Sequence, residues 1–345
     1  MSNKKNFPAL AALSFAAALT LAACGGGGGS SGGGGSNNSA SGSSGTGTTT
    51  SPTVTGTQST AQYAANSAQL AAFNLLNQYR QQCGFPTLQQ NTVLDTAAQN
   101  HSKYMGLNNV FTDIETSGNN GYTGASYLDR AVYAGFPAGI SLAGGSGGGN
   151  AVFTSNFSAS LAGQQFIYGM IGGVYHSVIA TYPANIVGLG EYETPATQGA
   201  YTYTDTFESL SVASSSTQTQ SLGGTPLTFP CQGITGVPYA EVGESPAAPN
   251  VSASGSGTPV VVMGNATDSI VLQSATMTDT GGHVITLQLL NSATDPNKFL
   301  KSSQAVAYPT SPLSPNTTYT VSLTGTYNGA AFSRSFSFTT GNVIG

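Results

Sequence analysis

The sequence predicts an α+β chain: a domain of helices and a hairpin over residues 61–215, then a small all-β sandwich over 258–345. Three observations carry this. Apolar residues recur with a helical period at Leu70, Phe73 and Leu76, and again at Leu94, Ala97, Ala98, His101, Tyr104 and Met105. The stretches 185–192 and 201–207 alternate like strands around Pro195-Ala196-Thr197-Gln198-Gly199, which has hairpin punctuation. The last part of the chain is a series of short strand-like runs (259–263, 269–272, 283–290, 318–323 and 332–339), separated by polar turns. One of these turns, Asn328-Gly329, is a strong two-residue hairpin signal. A length of 345 residues fits two domains on a prior of ~150 residues each.

Taken in order, the chain opens with Lys4-Lys5 and an apolar run over 9–23, shorter than the ~20 residues that a membrane-spanning helix needs. It ends in Leu21-Ala22-Ala23-Cys24-Gly25, which resembles a bacterial lipobox. That resemblance implies a signal peptide over 1–24, cleavage before Cys24, and lipidation of Cys24 as a membrane anchor. Gly25 in place of Asp implies the outer membrane. Residues 25–60 are almost wholly Gly, Ser, Thr and Asn with no apolar period, a flexible tether whose ~36 residues span ~30–35 Å. Gly84 and Pro86 end the first helix, and Asn91 caps the second. Ser126 caps a short helix over 127–134, closed by Gly135. Residues 140–150 read as a Gly-rich loop before a third helix over 159–171, with Leu161, Phe166, Ile167 and Met170 inward. His176 opens a short helical turn. Residues 216–257 read as an extended linker.

Composition narrows the function classes. Only 6% of residues are charged, against ~25% in an ordinary soluble protein. Without Lys4 and Lys5 the chain keeps 6 basic and 13 acidic residues, a net of −7. Such a surface does not attract nucleic acid. With Cys24 lipidated, Cys83 and Cys231 remain. In an oxidising compartment they pair, closing a loop worth ~5 kcal/mol by chain entropy; the alternative is two free thiols.

Three stretches carry a family resemblance. His176 is followed by Val187-Gly188-Leu189-Gly190 and the aromatic strand Tyr201-Thr202-Tyr203. Earlier come Leu94-x-x-Ala97-Ala98-x-x-His101-Ser102-x-x-Met105 and the run from Arg130-Ala131 to Ala134-Gly135-Phe136. Together they resemble the CAP superfamily of cysteine-rich secretory, pathogenesis-related and bacterial SCP-like extracellular domains. The resemblance implies an α-β-α sandwich and a cleft in which two histidines and two glutamates can hold a divalent cation. His176 matches the second histidine. Where bacterial members read Phe-Ser-His, this chain has Phe111-Thr112-Asp113, so Asp113 stands in for the first. The Gly-Glu-Asn motif expected between Gly135 and Ala151 brings no acid, nor does the helix over 159–173. A zinc site would therefore draw on His176, Asp113, Glu115 and His101, although His101 sits on a core-facing stripe. The C-terminal runs, among them Leu313-Ser314-Pro315-Asn316, resemble bacterial Ig-like modules.

Other signals are weaker. Gly144-Gly145-Ser146-Gly147-Gly148 matches the letters of a nucleophile elbow but lacks its flanking strand and helix. His283 reads as a solvent-edge residue. Tyrosines such as Tyr122, Tyr127, Tyr175, Tyr192 and Tyr203 either line a ligand groove or sit at the core edge. The expectation is an envelope lipoprotein, periplasmic or surface facing, whose CAP-like domain binds a small apolar, lipid or glycan ligand or a protein partner, without catalysis or cofactor. The alternatives are a metal-assisted hydrolase using His176 with Asp113, and an adhesive or spacer protein acting through the β-sandwich.

Overall fold

The computed structural model describes residues 54–140, 142–215, 220–224 and 226–345, and the backbone of Leu13–Ser14. The lipobox, Cys24 and most of the tether lie outside the described residues. Apart from the two-residue strand β1 (Leu13–Ser14), every described element is built from residue 68 onward.

The first domain is a three-layer α-β-α sandwich. Its sheet runs β2 (Gln89–Gln90), β4 (Ile186–Gln198), β5 (Tyr201–Ala213), β3 (Leu142–Phe153), β1 and β8 (Glu244–Ser245). On one face lie α2 (Thr92–Asn108) and α3 (Tyr127–Tyr133); on the other, α1 (Ala68–Gln82), α4 (Ala159–Gly172) and α5 (His176–Ala180). Local chemistry sets the helix starts. Asn91 accepts the backbone N–H groups of Val93 and Leu94, and Ser126 forms a capping box with Asp129. Gly188 and Gly190 let α2 lie directly on β4, since a Cβ at either would overlap the α2 backbone at Leu94–Asp95 or Ala98–Gln99. Where β4 runs past β2, α2 closes its edge with side chains: Asp95 accepts Leu189 N, and Gln99 exchanges two bonds with Glu191.

Two elements differ from the sequence reading here. The Gly-rich stretch is a strand, paired with β5 from Leu142 to Phe153, and seven consecutive residues, 143–149, are buried. The hairpin loop is also shorter than read: β4 continues to Gln198, paired with Tyr201.

The second domain is a β-sandwich, consistent with an Ig-like module. One sheet has the order β11 (Val284–Thr286), β10 (Ile270–Asp279), β14 (Thr318–Tyr327), β15 (Ala330–Thr340), β7 (Thr235–Val237). The other runs β12 (Gln288–Asn291), β13 (Gln304–Tyr308), β9 (Val260–Met263), β6 (Leu227–Phe229). Asn328 and Gly329, both at positive φ, turn the β14–β15 hairpin. Part of the stretch read as a linker belongs to this sandwich: β6 pairs with β9 and β7 with β15, whereas its β8 lies in the first sheet. Cys83 is bonded to Cys231, the pairing expected in an oxidising compartment. One buried cluster runs through both domains, from Leu76, Phe166 and Met170 to Phe229, Val261, Leu290 and Val306. Among the described residues, no helix is long and apolar enough to cross a membrane.

Candidate functional site

The candidate site lies at the edge of the first sheet, where β3, β1 and β8 are neighbouring strands. β1 pairs antiparallel with β3 at Ser14–Gly147 and parallel with β8 at Leu13–Glu244 and Ser14–Ser245. β3 and β8 therefore stand two strand spacings apart, about 10 Å. The β3 wall, Gly144 to Gly149, offers side chain only at Ser146, which is fully buried with its hydroxyl unpartnered. These glycines are required by what packs behind them. A Cβ at Gly145 would meet the Tyr127 ring, one at Gly147 would crowd Met105 and His101, and one at Gly149 would meet Phe111.

Behind the β3 wall is a buried polar network drawn from α2, α3 and the loop between them. Asp113 accepts Gly147 N at 3.0 Å and the Tyr127 hydroxyl at 2.5 Å. Glu115 meets His101 Nδ1 at 3.0 Å and accepts Thr123 N at 2.6 Å, with Arg130 Nε at 3.7 Å. Arg130 donates to the carbonyls of Asp113, Gly124 and Ala125 and lies 4.2 Å over the Tyr127 ring. His101 Nε2 faces the Thr112 carbonyl at 2.8 Å. Burial and the neighbouring Arg130 push the His101 imidazole down to about 4, against the pull of Glu115. Both ring nitrogens face acceptors, the Glu115 carboxylate and the Thr112 carbonyl, and both contacts favour the protonated ring against burial. Although buried, Glu115 is held below the usual carboxylate range by His101, Thr123 and Arg130.

The opposite wall is organised by Glu244. Its carboxylate accepts the backbone N–H groups of Val174, Tyr175 and His176 at 2.8, 2.8 and 3.1 Å, and meets His176 Nδ1 at 3.0 Å. It thereby covers the N-terminal end of α5, which cannot satisfy those donors itself. The other end of α5 is held by Arg80. This guanidinium, 1% exposed, donates to the carbonyls of Ala180, Tyr182 and Ala184, and to Pro86. Burial lowers the Arg80 pKa to about 9, so it remains charged at neutral pH. A carboxylate at the start and a cation at the end of α5 both suit the helix dipole.

Residues 73–177 match the model of the cysteine-rich secretory protein family, CAP. The chain carries a CAP domain. The match ends within α5, and β4 and β5 complete the sheet that the matched part begins. No curated protein matches the chain.

The residues expected from the family's cleft are arranged differently here. His176 and Asp113 belong to opposite walls, Asp113 bonded to β3 and His176 bonded to Glu244 of β8. Glu115 and His101 pair with each other behind β3, not with His176. Among the described residues, no three His, Cys, Asp or Glu side chains are grouped to hold a metal ion. A dication at Glu115 would also face the Arg130 guanidinium. The residues present do not fit the family's divalent cation.

Three residues of this site escaped the sequence reading. Glu244 lies in the supposed linker, Arg80 lies on a helix with no motif of its own, and Arg130 was read as part of a family stretch and not as a site residue. The one available signal was scarcity, since a chain with eight basic residues rarely buries two arginines idly. The tyrosines divide. Tyr127 and Tyr175 are core residues, whereas Tyr201 and Tyr203 flank Phe153 in a partly exposed aromatic cluster at the hairpin tip. Acidic side chains on the sheet face away from α2 add a last feature. Glu208 is buried with neither carboxyl oxygen partnered, and desolvation raises its pKa to about 8. Its cross-strand neighbour Glu191 is raised likewise, by desolvation and then by Glu193.

Proposed function

We propose that the chain is a bacterial envelope lipoprotein, anchored through Cys24, whose CAP cleft binds a ligand or partner without catalysing a reaction. The observation that carries this is that the polar groups of the cleft are bound to structural duties. Asp113 accepts a β3 amide and a tyrosine hydroxyl, Glu115 answers His101 and Arg130, and Glu244 accepts three helix-start amides. A carboxylate so engaged holds its proton acceptor capacity for the fold and does not serve as a general base. The lipobox resemblance supports the anchor, and the tether of residues 25–60 supports a domain held clear of the headgroups.

The test is calorimetry on the chain from residue 24 with Cys24→Ser, titrated with zinc and with chitotetraose, beside the His176→Ala variant. The expected result is no zinc binding at micromolar concentrations. Micromolar zinc binding lost in His176→Ala would overturn the reading in favour of the hydrolase, with Asp113 the next residue to replace.

A further inference from the structure

We propose that the CAP domain binds an alkylammonium group, carried by a free polyamine or by a lysine side chain of a partner, on the sheet face turned away from α2. The proposal deepens the ligand-binding reading above and rests on it. Strand register builds the site. Gly188 and Gly190 face α2, so Leu189, Glu191 and Glu193 face the other way. Pairing with β5 and β3 extends these positions into three rows. They read Leu189, Leu210 and Ser146; then Glu191, Glu208 and Gly148; then Glu193, Thr206 and Asn150. Residues paired across strands share a face, so three glutamates and the Ser146 hydroxyl come together there. The patch is graded, with Glu208 buried, Glu191 half-buried and Glu193 exposed, so it opens to solvent at Glu193.

The chain itself leaves these groups without donors or counter-charge. Both carboxyl oxygens of Glu208, Oε1 of Glu191 and the Ser146 hydroxyl are buried with no hydrogen-bond partner. The Thr206 hydroxyl, on the same face, is engaged by the backbone of Asn150. α4, packed on β3 and β5, contains no charged residue. Arg80 is committed to carbonyls at the end of α5, and Arg130 to carbonyls on the other side of β3. Buried carboxyls left in this state call for a donor from outside the chain. Among the described residues they are not grouped to hold a metal ion. An ammonium on a flexible stem has three N–H donors and suits acceptors spread over a sheet face.

The experiment is calorimetry on the chain from residue 24 with Cys24→Ser. The probes are cadaverine and an acetylated, amidated Gly-Gly-Lys-Gly-Gly peptide. At least one should bind saturably; cadaverine alone would mark a free polyamine as the source, and the peptide a partner's lysine. Glu208→Gln should weaken binding about tenfold, the effect of losing one charge-assisted hydrogen bond. Asp279→Asn, at a turn of the sandwich, should bind as the parent does. Pentyltrimethylammonium, with the charge but no N–H, should bind at least about tenfold more weakly than cadaverine. Burial raises Glu208 and Glu191 to about 8, so binding at pH 7 should release about one proton, read from the heats in phosphate and in Tris.

Binding that is unchanged in Glu208→Gln, or that releases no proton, would overturn the proposal. Absence of binding by both amines while chitotetraose still binds would overturn it and leave the ligand-binding reading standing. Absence of binding by all three probes would overturn both.

Discussion

The two histidines of the CAP domain are both fully buried and both paired with a glutamate at 3.0 Å, yet their surroundings are built differently. His101 belongs to a network closed within a short stretch of chain. Glu115, Asp113, Tyr127 and Arg130 all follow it within thirty residues, on α2, α3 and the loop between. His176 has its partner far along the chain, at Glu244 of β8, after the disulfide and after two strands of the sandwich. One histidine organises the domain through a local stretch; the other ties it to a segment that returns from the sandwich. Tyr175, beside it, makes the crossing to the sandwich itself through Asp295 and Asn297.

Replacing Glu115 by Ala should have the largest effect. It leaves Arg130 without its carboxylate and His101 without its acceptor, a loss of about 3–5 kcal/mol for a broken buried ion pair. Thermal unfolding would read it as a large fall in Tm across the CAP domain. A loss under about 1 kcal/mol would mean that Arg130 is satisfied by its carbonyls alone.

Glu244→Ala should come next, at about 2–3 kcal/mol, since one charged acceptor serves three amides and a ring nitrogen. The comparison predicts a further difference between the two variants. Hydrogen exchange should rise around α5 and along β8 in Glu244→Ala, and around α2 and α3 in Glu115→Ala. Exchange confined to α5 alone would show that the tie between the domains does not depend on this residue.

The smallest effect concerns pH. The raised pKa of Glu208 means that the folded state holds a proton the unfolded state has released, so stability falls as pH rises from the ordinary carboxylate range towards 8. His101, lowered to about 4, acts in the opposite sense only below its unfolded value near 6.5. Between pH 6.5 and 8 the raised glutamates dominate, and a single one of them should lower stability by up to about 2 kcal/mol. Glu208→Gln should reduce that slope while leaving both histidine networks in place. A slope unchanged in the variant would assign it to Glu191 and to Glu241, whose buried carboxyl is raised as well.

Much of the fold was legible where a signal is local. Asn91 and Ser126 act as caps because capping is a matter between a side chain and amides two or three residues away. Asn328-Gly329 turns a hairpin because few other pairs accept positive φ at both positions. The strand β3 was not legible, because glycine carries no strand preference. Its conformation is imposed by β5 on one side and by the rings that press on it. β13 was missed for a related reason. Gln304-Ala305-Val306-Ala307-Tyr308 is buried on both faces, so the alternation that marks a half-exposed strand is absent. At the site, His176 and Asp113 were found by their place in a motif, but their partners were not. Glu244 reaches His176 across a sequence separation of 68 residues, and no periodicity encodes such a contact.

The placement of Glu244 bears on how this protein could be divided. The sandwich draws its strands from Leu227 onward, so a gene fragment encoding the whole of it must begin before that residue. Such a fragment carries Cys231 and Glu244 away with it, leaving Cys83 unpaired and α5 with a bare amino end. A cut between the two folds therefore separates Cys83 from Cys231 and the amides of α5 from their carboxylate, and a replacement for either piece would have to bring its own acid to the same three amides.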